Sequence, residues 1–173
     1  MKQNVKTTRW LSVKPAFTMI ECILTAAVVV IVMVAIMAFR YYTVASAERA
    51  ENQLLASRSA YLLSEAWRGI KADPAFDPTQ QDFDEDFLIE AVSEPALVAS
   101  CPPGSAAEKL QSLTGVIPLG SYRIRIDEKE FYAKLLYGTD GTVPNLRSTH
   151  ILIVWRDHRG VRQEYYLPTL SQT

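Results

Sequence analysis

The sequence predicts an α+β protein, with a long N-terminal helix packed on a small C-terminal antiparallel β-sheet. Three observations carry this. Residues 17–39 read FTMIECILTAAVVVIVMVAIMAF, in which Glu21 is the only carboxylate. Residues 43–67 contain no Pro or Gly and are built largely of good helix formers. The last third of the chain alternates apolar and polar residues with period two and contains a hairpin pattern.

The apolar run comes first. As a helix it would extend about 35 Å, enough for the roughly 30 Å hydrocarbon core of a bilayer. Val28 to Val34 has strand-like composition, but only a helix satisfies its own backbone in lipid. Residues 17–39 are therefore expected to cross the membrane. Glu21 is the exception within them. A carboxylate in lipid is expensive unless paired, so its position points to a function. Ahead of the run, residues 1–16 carry Lys2, Lys6, Arg9 and Lys14 and no acid. That charge places the N-terminus on the cytoplasmic side and the C-terminal domain outside the cytoplasm. The run is longer than the core of a secretory signal peptide and has no small-x-small site closing it, which predicts a retained single-pass anchor.

Beyond it, Arg40, Tyr41 and Tyr42 suit the headgroup level. Residues 40–69 read as an amphipathic continuation of the helix. Val44, Ala47, Leu54, Leu55, Leu62, Ala66 and Trp67 fall near helical spacing, with Arg49, Glu51, Asn52 and Arg58 on other faces. Gly69 and Pro74 supply the stop.

Residues 70–121 are irregular and rich in Pro. Leu88 to Val92 is compatible with either a short strand or a helical turn. Asp82, Asp84 and Asp86 have the D-x-D-x-D spacing of an oxygen-rich loop, but the Gly and distal Glu of an EF-hand are missing. The cluster reads as a solvated acidic loop, and no metal is expected. Ser105-x-x-Glu108 is a capping-box pattern and predicts a helix near 106–113, with Leu110 and Leu113 facing the core.

Residues 122–170 read as the sheet. Tyr122, Ile124 and Ile126 alternate with Arg123, Arg125 and Asp127. Residues 131–137 form a second, less regular strand, and Gly138 to Gly141 a turn. Residues 149–156 (THILIVWR), the loop Asp157 to Gly160 and residues 161–167 (VRQEYYL) make a hairpin. Of the two faces of THILIVWR, the larger set, Ile151, Ile153 and Trp155, is expected against the helix.

Composition narrows the function. The chain has 18 basic and 19 acidic residues. Taking the four leader cations from the 18 leaves 14 against 19 acids, with no basic face for nucleic acid. Cys22 lies in the apolar run and Cys101 in a Pro- and Gly-rich loop, so no intrachain disulfide is expected. His150 and His158 are the only histidines, and no Cys is spaced to complete a zinc set. Ser59 and Ser64 lack a nucleophile elbow, and the Asp157–His158 pair reads as a solvated turn. No catalytic residue and no cofactor are expected.

Ala16-Phe17-Thr18-Met19-Ile20-Glu21, behind a basic leader and ahead of an apolar run, resembles the N-terminus of type IV pilin-like proteins, including the pseudopilins of type II secretion. The resemblance implies a pilin-like fold. It implies that a prepilin peptidase cuts between Ala16 and Phe17 and methylates the new amino group of Phe17. It also implies that Glu21 neutralises the amino terminus of a neighbouring subunit in a filament. The family usually has Gly where Ala16 stands. Many of its major subunits carry a Pro within the span, which this chain lacks. By analogy, that absence favours a minor subunit or a pseudopilin over the major subunit of a long pilus. The ending, Val154-Trp155, a charged turn, then Leu167 to Leu170, is also similar to minor pseudopilins and minor pilins. The implied role is filament initiation or tip assembly in type II secretion. The implied partners are the peptidase, other pilin-like subunits, an inner-membrane assembly platform and the lipid bilayer. Two alternatives stand beside it. One is a minor pilin of a type IV pilus or DNA-uptake pseudopilus. The other is a single-pass binding protein that never polymerises.

Overall fold

The computed structural model describes residues 18–83, 86–113, 115–139 and 146–172. Among the described residues helix α1 (Met19–Gly69) comes first, and a 3-10 turn follows at Pro78–Gln80. After these come β1 (Phe87–Val92), α2 (Ala96–Ala99), α3 (Ala106–Gln111), β2 (Val116–Ile126), β3 (Lys129–Thr139), β4 (Leu146–Arg156) and β5 (Arg162–Gln172). The architecture is α+β, a long N-terminal helix with an antiparallel sheet of order β1-β2-β3-β4-β5. The chain divides into two compact units between Val44 and Ala45.

In the first unit, α1 presents only exposed side chains from Met19 to Val44, most of them large and apolar. It is long and apolar enough to cross a membrane. A bare apolar surface of that length belongs in lipid rather than water. Its hydroxyls suit such a setting. Thr25 Oγ1 donates to the Glu21 carbonyl at 2.7 Å and Thr43 Oγ1 to the Phe39 carbonyl at 2.8 Å, so neither side chain needs water.

In the second unit, α1 lies on one face of the sheet. The buried stripe matches the expected set fully only at Trp67. It runs through Ala45, Asn52, Ala56, Ser59, Ala60, Leu63, Ser64 and Trp67. Val44, Ala47 and Leu54 are exposed, and Asn52 is buried. The sheet supplies the bulk: Ile124, Phe131, Leu135, Ile151, Ile153 and Trp155 pack around Ala56 and Ala60. Small helix residues allow the backbone to approach these side chains. Leu55, Leu62 and Ala66 flank the seam, partly buried.

The helix ends at Gly69 as expected, but Gly69 is not the residue that reverses the chain. Lys71 and Ala72 are, with φ of 57° and 52°. A left-handed non-Gly residue costs about 1–2 kcal/mol. The Ala72 amide donates to the Trp67 carbonyl at 3.0 Å, Arg147 Nη1 donates to the Lys71 carbonyl at 3.0 Å, and Trp67 Nε1 donates to the Asp73 carbonyl at 2.8 Å. These bonds hold the turn.

The sheet begins earlier than residue 122. Leu88 to Val92 lies within β1, and β2 starts at Val116. Pro118 and Gly120 flank a register shift in β2 that obscures its alternation. Pro118 is tolerated there because β1 pairs only with residues 121–126 of β2, which leaves the Pro118 stretch on an open edge. Gly138 belongs to β3 rather than to a turn, paired with Val116 and Ser148. A Cβ at Gly138 would lie 2.5 Å from Ser148 Oγ, so a larger residue there would have to displace the Ser148 side chain. Asp140 and Gly141 lie outside the described residues. β5 continues past Leu167 to Gln172.

Ile151, Ile153 and Trp155 do face the helix. The opposite face is also covered. Leu152 and Val154 pack with Leu136 against Ala107 and Leu110 of α3. β4 is therefore buried on both faces, which explains its nearly continuous apolar sequence. α3 is capped as expected, with Ser105 Oγ accepting from the Glu108 amide at 3.1 Å. It stops at Gln111, so Leu113 is exposed rather than in the core.

His150 lies buried on this second face. Its Nδ1 is 2.7 Å from Tyr166 Oη and its Nε2 is 3.2 Å from Ser148 Oγ, with the imidazole stacked on the Tyr166 ring. Burial lowers its pKa from the ordinary 6.5. The unfolded chain therefore takes up a proton at higher pH than the folded one. The stability from a neutral His150 is fully present above about pH 6.5 and is lost as pH falls through the depressed folded value. Urea unfolding of the full chain in detergent should show a midpoint that drops as pH falls from 7 to 5. His150→Gln should flatten that dependence, and an equally steep dependence in the variant would remove His150 as its cause.

Candidate functional site

Of the residues predicted to carry function, Ala16 and Phe17 lie outside the described residues. Glu21 is described. Thr18 precedes the first helical residue, and its amide would have no intrahelical acceptor. Glu21 Oε2 accepts from that amide at 2.8 Å and from Thr18 Oγ1 at 2.9 Å. Thr18-x-x-Glu21 is thus a capping arrangement, a local role beside the one the resemblance implies. The signal was available in the spacing, which matches the one recognised at Ser105-x-x-Glu108.

The geometry leaves the Glu21 carboxylate half used. Among the described residues, its hydrogen bonds all go to Oε2. The side chain is exposed on the surface of α1, among apolar neighbours. An exposed acceptor oxygen at the start of an apolar helix can receive a cation from another chain, and in lipid such a pair would be weakly screened.

The other candidates are packing residues. Ser59 and Ser64 are buried, and Ser59 Oγ donates to the Leu55 carbonyl at 2.8 Å. Asp157 and His158 are not a solvated pair. Asp157 is buried, and its Oδ1 accepts from the amides of Arg159 and Val161, each at 2.9 Å. Burial raises its pKa, but the bonds from Val161 and Arg159, with the nearby His158 and Arg49, outweigh this and hold it below the usual carboxylate value. His158 Nδ1 lies 3.6 Å from Glu48 Oε2 instead. No local pattern marks this contact, because Glu48 is more than a hundred residues away along the chain.

Asp77, at the edge of the acidic stretch, caps the 3-10 turn through Thr79 and Gln80. Asp84 lies outside the described residues. Among the described residues no group of three or more His, Cys, Asp or Glu is placed to hold a metal. Cys22 and Cys101 are free thiols.

No protein-family description, curated protein or solved structure matches the chain.

Proposed function

We propose that this chain is a structural subunit of a pilus-like filament, a minor pseudopilin of the type II secretion kind that takes part in filament initiation or tip assembly. The observation that supports it is Glu21. This carboxylate stands near the start of an exposed apolar helix, with one oxygen tied to Thr18 and the side chain open to another chain. In the proposed assembly the incoming cation is the methylated amino group of Phe17 from the adjacent subunit. That group exists only after a prepilin peptidase cuts between Ala16 and Phe17. The helix up to Phe39 serves as membrane anchor before assembly and as packing surface after it. The outer domain, built on Ala45 to Gly69 and the sheet, meets neighbouring subunits or the assembly platform.

Intact-mass spectrometry of the membrane-extracted protein tests this. The expected species begins at Phe17 and carries one additional methyl group on its amine. A species retaining residues 1–16 would overturn the proposal and favour the single-pass binding protein.

A further inference from the structure

The second unit carries a hollow and a projection at opposite flanks of its sheet. The hollow, about 140 Å3, lies where α1 passes the β1 side. Leu55, Leu62, Phe87 and Ile126 give it an apolar lining, and Asp86 and Asp127 are exposed in it. Neither carboxylate has an ion pair or hydrogen bond among the described residues. Arg58 also lines the hollow but is already engaged within the chain. Apolar surface thus stands beside two uncompensated negative charges.

The projection is the β4–β5 turn. Val161 is 53% exposed there. Arg159 is exposed too, and its guanidinium has no partner among the described residues. Asp157 stiffens the turn. Its Oδ1 accepts from the Arg159 and Val161 amides, and its carbonyl accepts from the Gly160 amide at 2.8 Å. A preformed turn gives up little entropy on binding. An apolar side chain beside a cation is the counterpart of the hollow.

The hollow cannot take the turn of its own chain. β1 and β5 are the two edges of the sheet, four strand spacings or about 19 Å apart. The register nevertheless sets hollow and turn level. Phe87 pairs with Ile126 and Ile126 with Lys129. Continuing from Tyr132↔Val154 brings Lys129 opposite Asp157, and continuing from Arg156↔Arg162 brings Asp157 opposite Val161. Copies anchored in one membrane share a height and a direction, and differ by rotation about the membrane normal and position in its plane. A neighbour alongside can therefore bring its β5 flank to the β1 flank of the first.

We infer that these flanks form an interface between copies of this chain. Val161 of one copy seats against the apolar lining of the next, and its Arg159 pairs with Asp86 and Asp127. The contact is heterologous, so each copy keeps one flank open for a further one. It is small, and a shared bilayer supplies the effective concentration it needs. It goes beyond the filament reading, because it uses no pairing at Glu21 and would stand even if Ala16 were never cut.

Cross-linking of the full chain in phosphatidylcholine vesicles tests it, with a short bismaleimide and a Cys22→Ala, Cys101→Ser background. Glu128, next to Asp127, marks the hollow. Mixing Glu128→Cys protein with Val161→Cys protein should give dimer at a yield at least about tenfold above either variant alone. Adding Arg159→Glu to the Val161→Cys partner should lower that yield about tenfold. Adding Asp86→Lys and Asp127→Asn to the other partner should then restore it. These five positions are exposed, so circular dichroism should not change. A mixture giving no more dimer than the single variants would overturn the proposal. So would an equal yield from Val161→Cys alone, which marks a two-fold contact. An unchanged yield with Arg159→Glu, or no recovery when the charges are exchanged, would overturn it as well.

Discussion

Replacing Glu21 by Ala is expected to leave the protein in the membrane and to remove it from the assembled filament. Insertion should survive because the apolar run is made longer, not shorter, by losing its one carboxylate. The helix start loses the bond to the Thr18 amide, worth about 1 kcal/mol, which a helix held by lipid can absorb. Assembly is a different matter. In the filament proposed above, Glu21 pairs with the amino group of a neighbouring Phe17, and removing one member of a pair shielded from water leaves the other charge uncompensated, at a cost of about 3–5 kcal/mol. That corresponds to a loss of assembled subunit of at least about a hundredfold. The measurement is the fraction of protein recovered in sheared filaments, alongside its fraction in membranes. Glu21→Asp, which keeps the charge on a shorter arm, should recover part of the assembly. Wild-type assembly of the Ala variant would show that the carboxylate does no more than cap its own helix.

Trp67→Ala should be the most destabilising single change in the second unit. Trp67 is fully buried and stacked on Phe76, with ring centroids 5.4 Å apart. Its indole N–H also holds the Asp73 carbonyl in the turn that follows α1. Truncating a buried Trp to Ala costs about 3–5 kcal/mol, a large part of the 5–15 kcal/mol that keeps a domain folded. Trp67→Phe retains most of the stack but loses the hydrogen bond, and should cost about 1–3 kcal/mol. Urea unfolding of the full chain in detergent, followed by near-ultraviolet circular dichroism, separates the two variants. Equal losses in both would assign the stabilisation to the Asp73 bond rather than to packing.

Much of this was legible in the sequence because the signals are local. The apolar run, the Ser105 cap, the alternation of Tyr122, Ile124 and Ile126 and the hairpin around Asp157 each depend on residues close in the chain. What escaped depends on distant partners. Alanine and serine carry no strong hydrophobic signal, so the buried stripe of α1 was assigned to larger residues beside it. Its true position is decided by the bulk of β3 and β4, which periodicity on the helix cannot register. Asn52 and Asp157 read as polar surface because their surroundings come from the other end of the chain. The early start of β2 was hidden by Pro118 and Gly120, residues that break alternation without breaking the strand. For the candidate site, Glu21 stood out as the only acid in an apolar run. Its bond to Thr18 required seeing that spacing as a cap as well as a resemblance.

The seam between α1 and the sheet has a consequence for how the sequence can vary. Ala56 and Ala60 are completely buried, and Ala133 of β3 is equally buried in the same cluster. The three alanines share this cluster with Phe131, Leu135, Ile151 and Trp155, whose side chains fill the space between helix and sheet. A methyl group gained on one side has no room unless one is lost on the other. Residues on this seam should therefore change in compensating sets among related sequences, while Leu54 or Val44, exposed on the same helix, are free to change alone. Paired substitutions linking positions 56 and 60 with 133 would be the imprint of that shared packing.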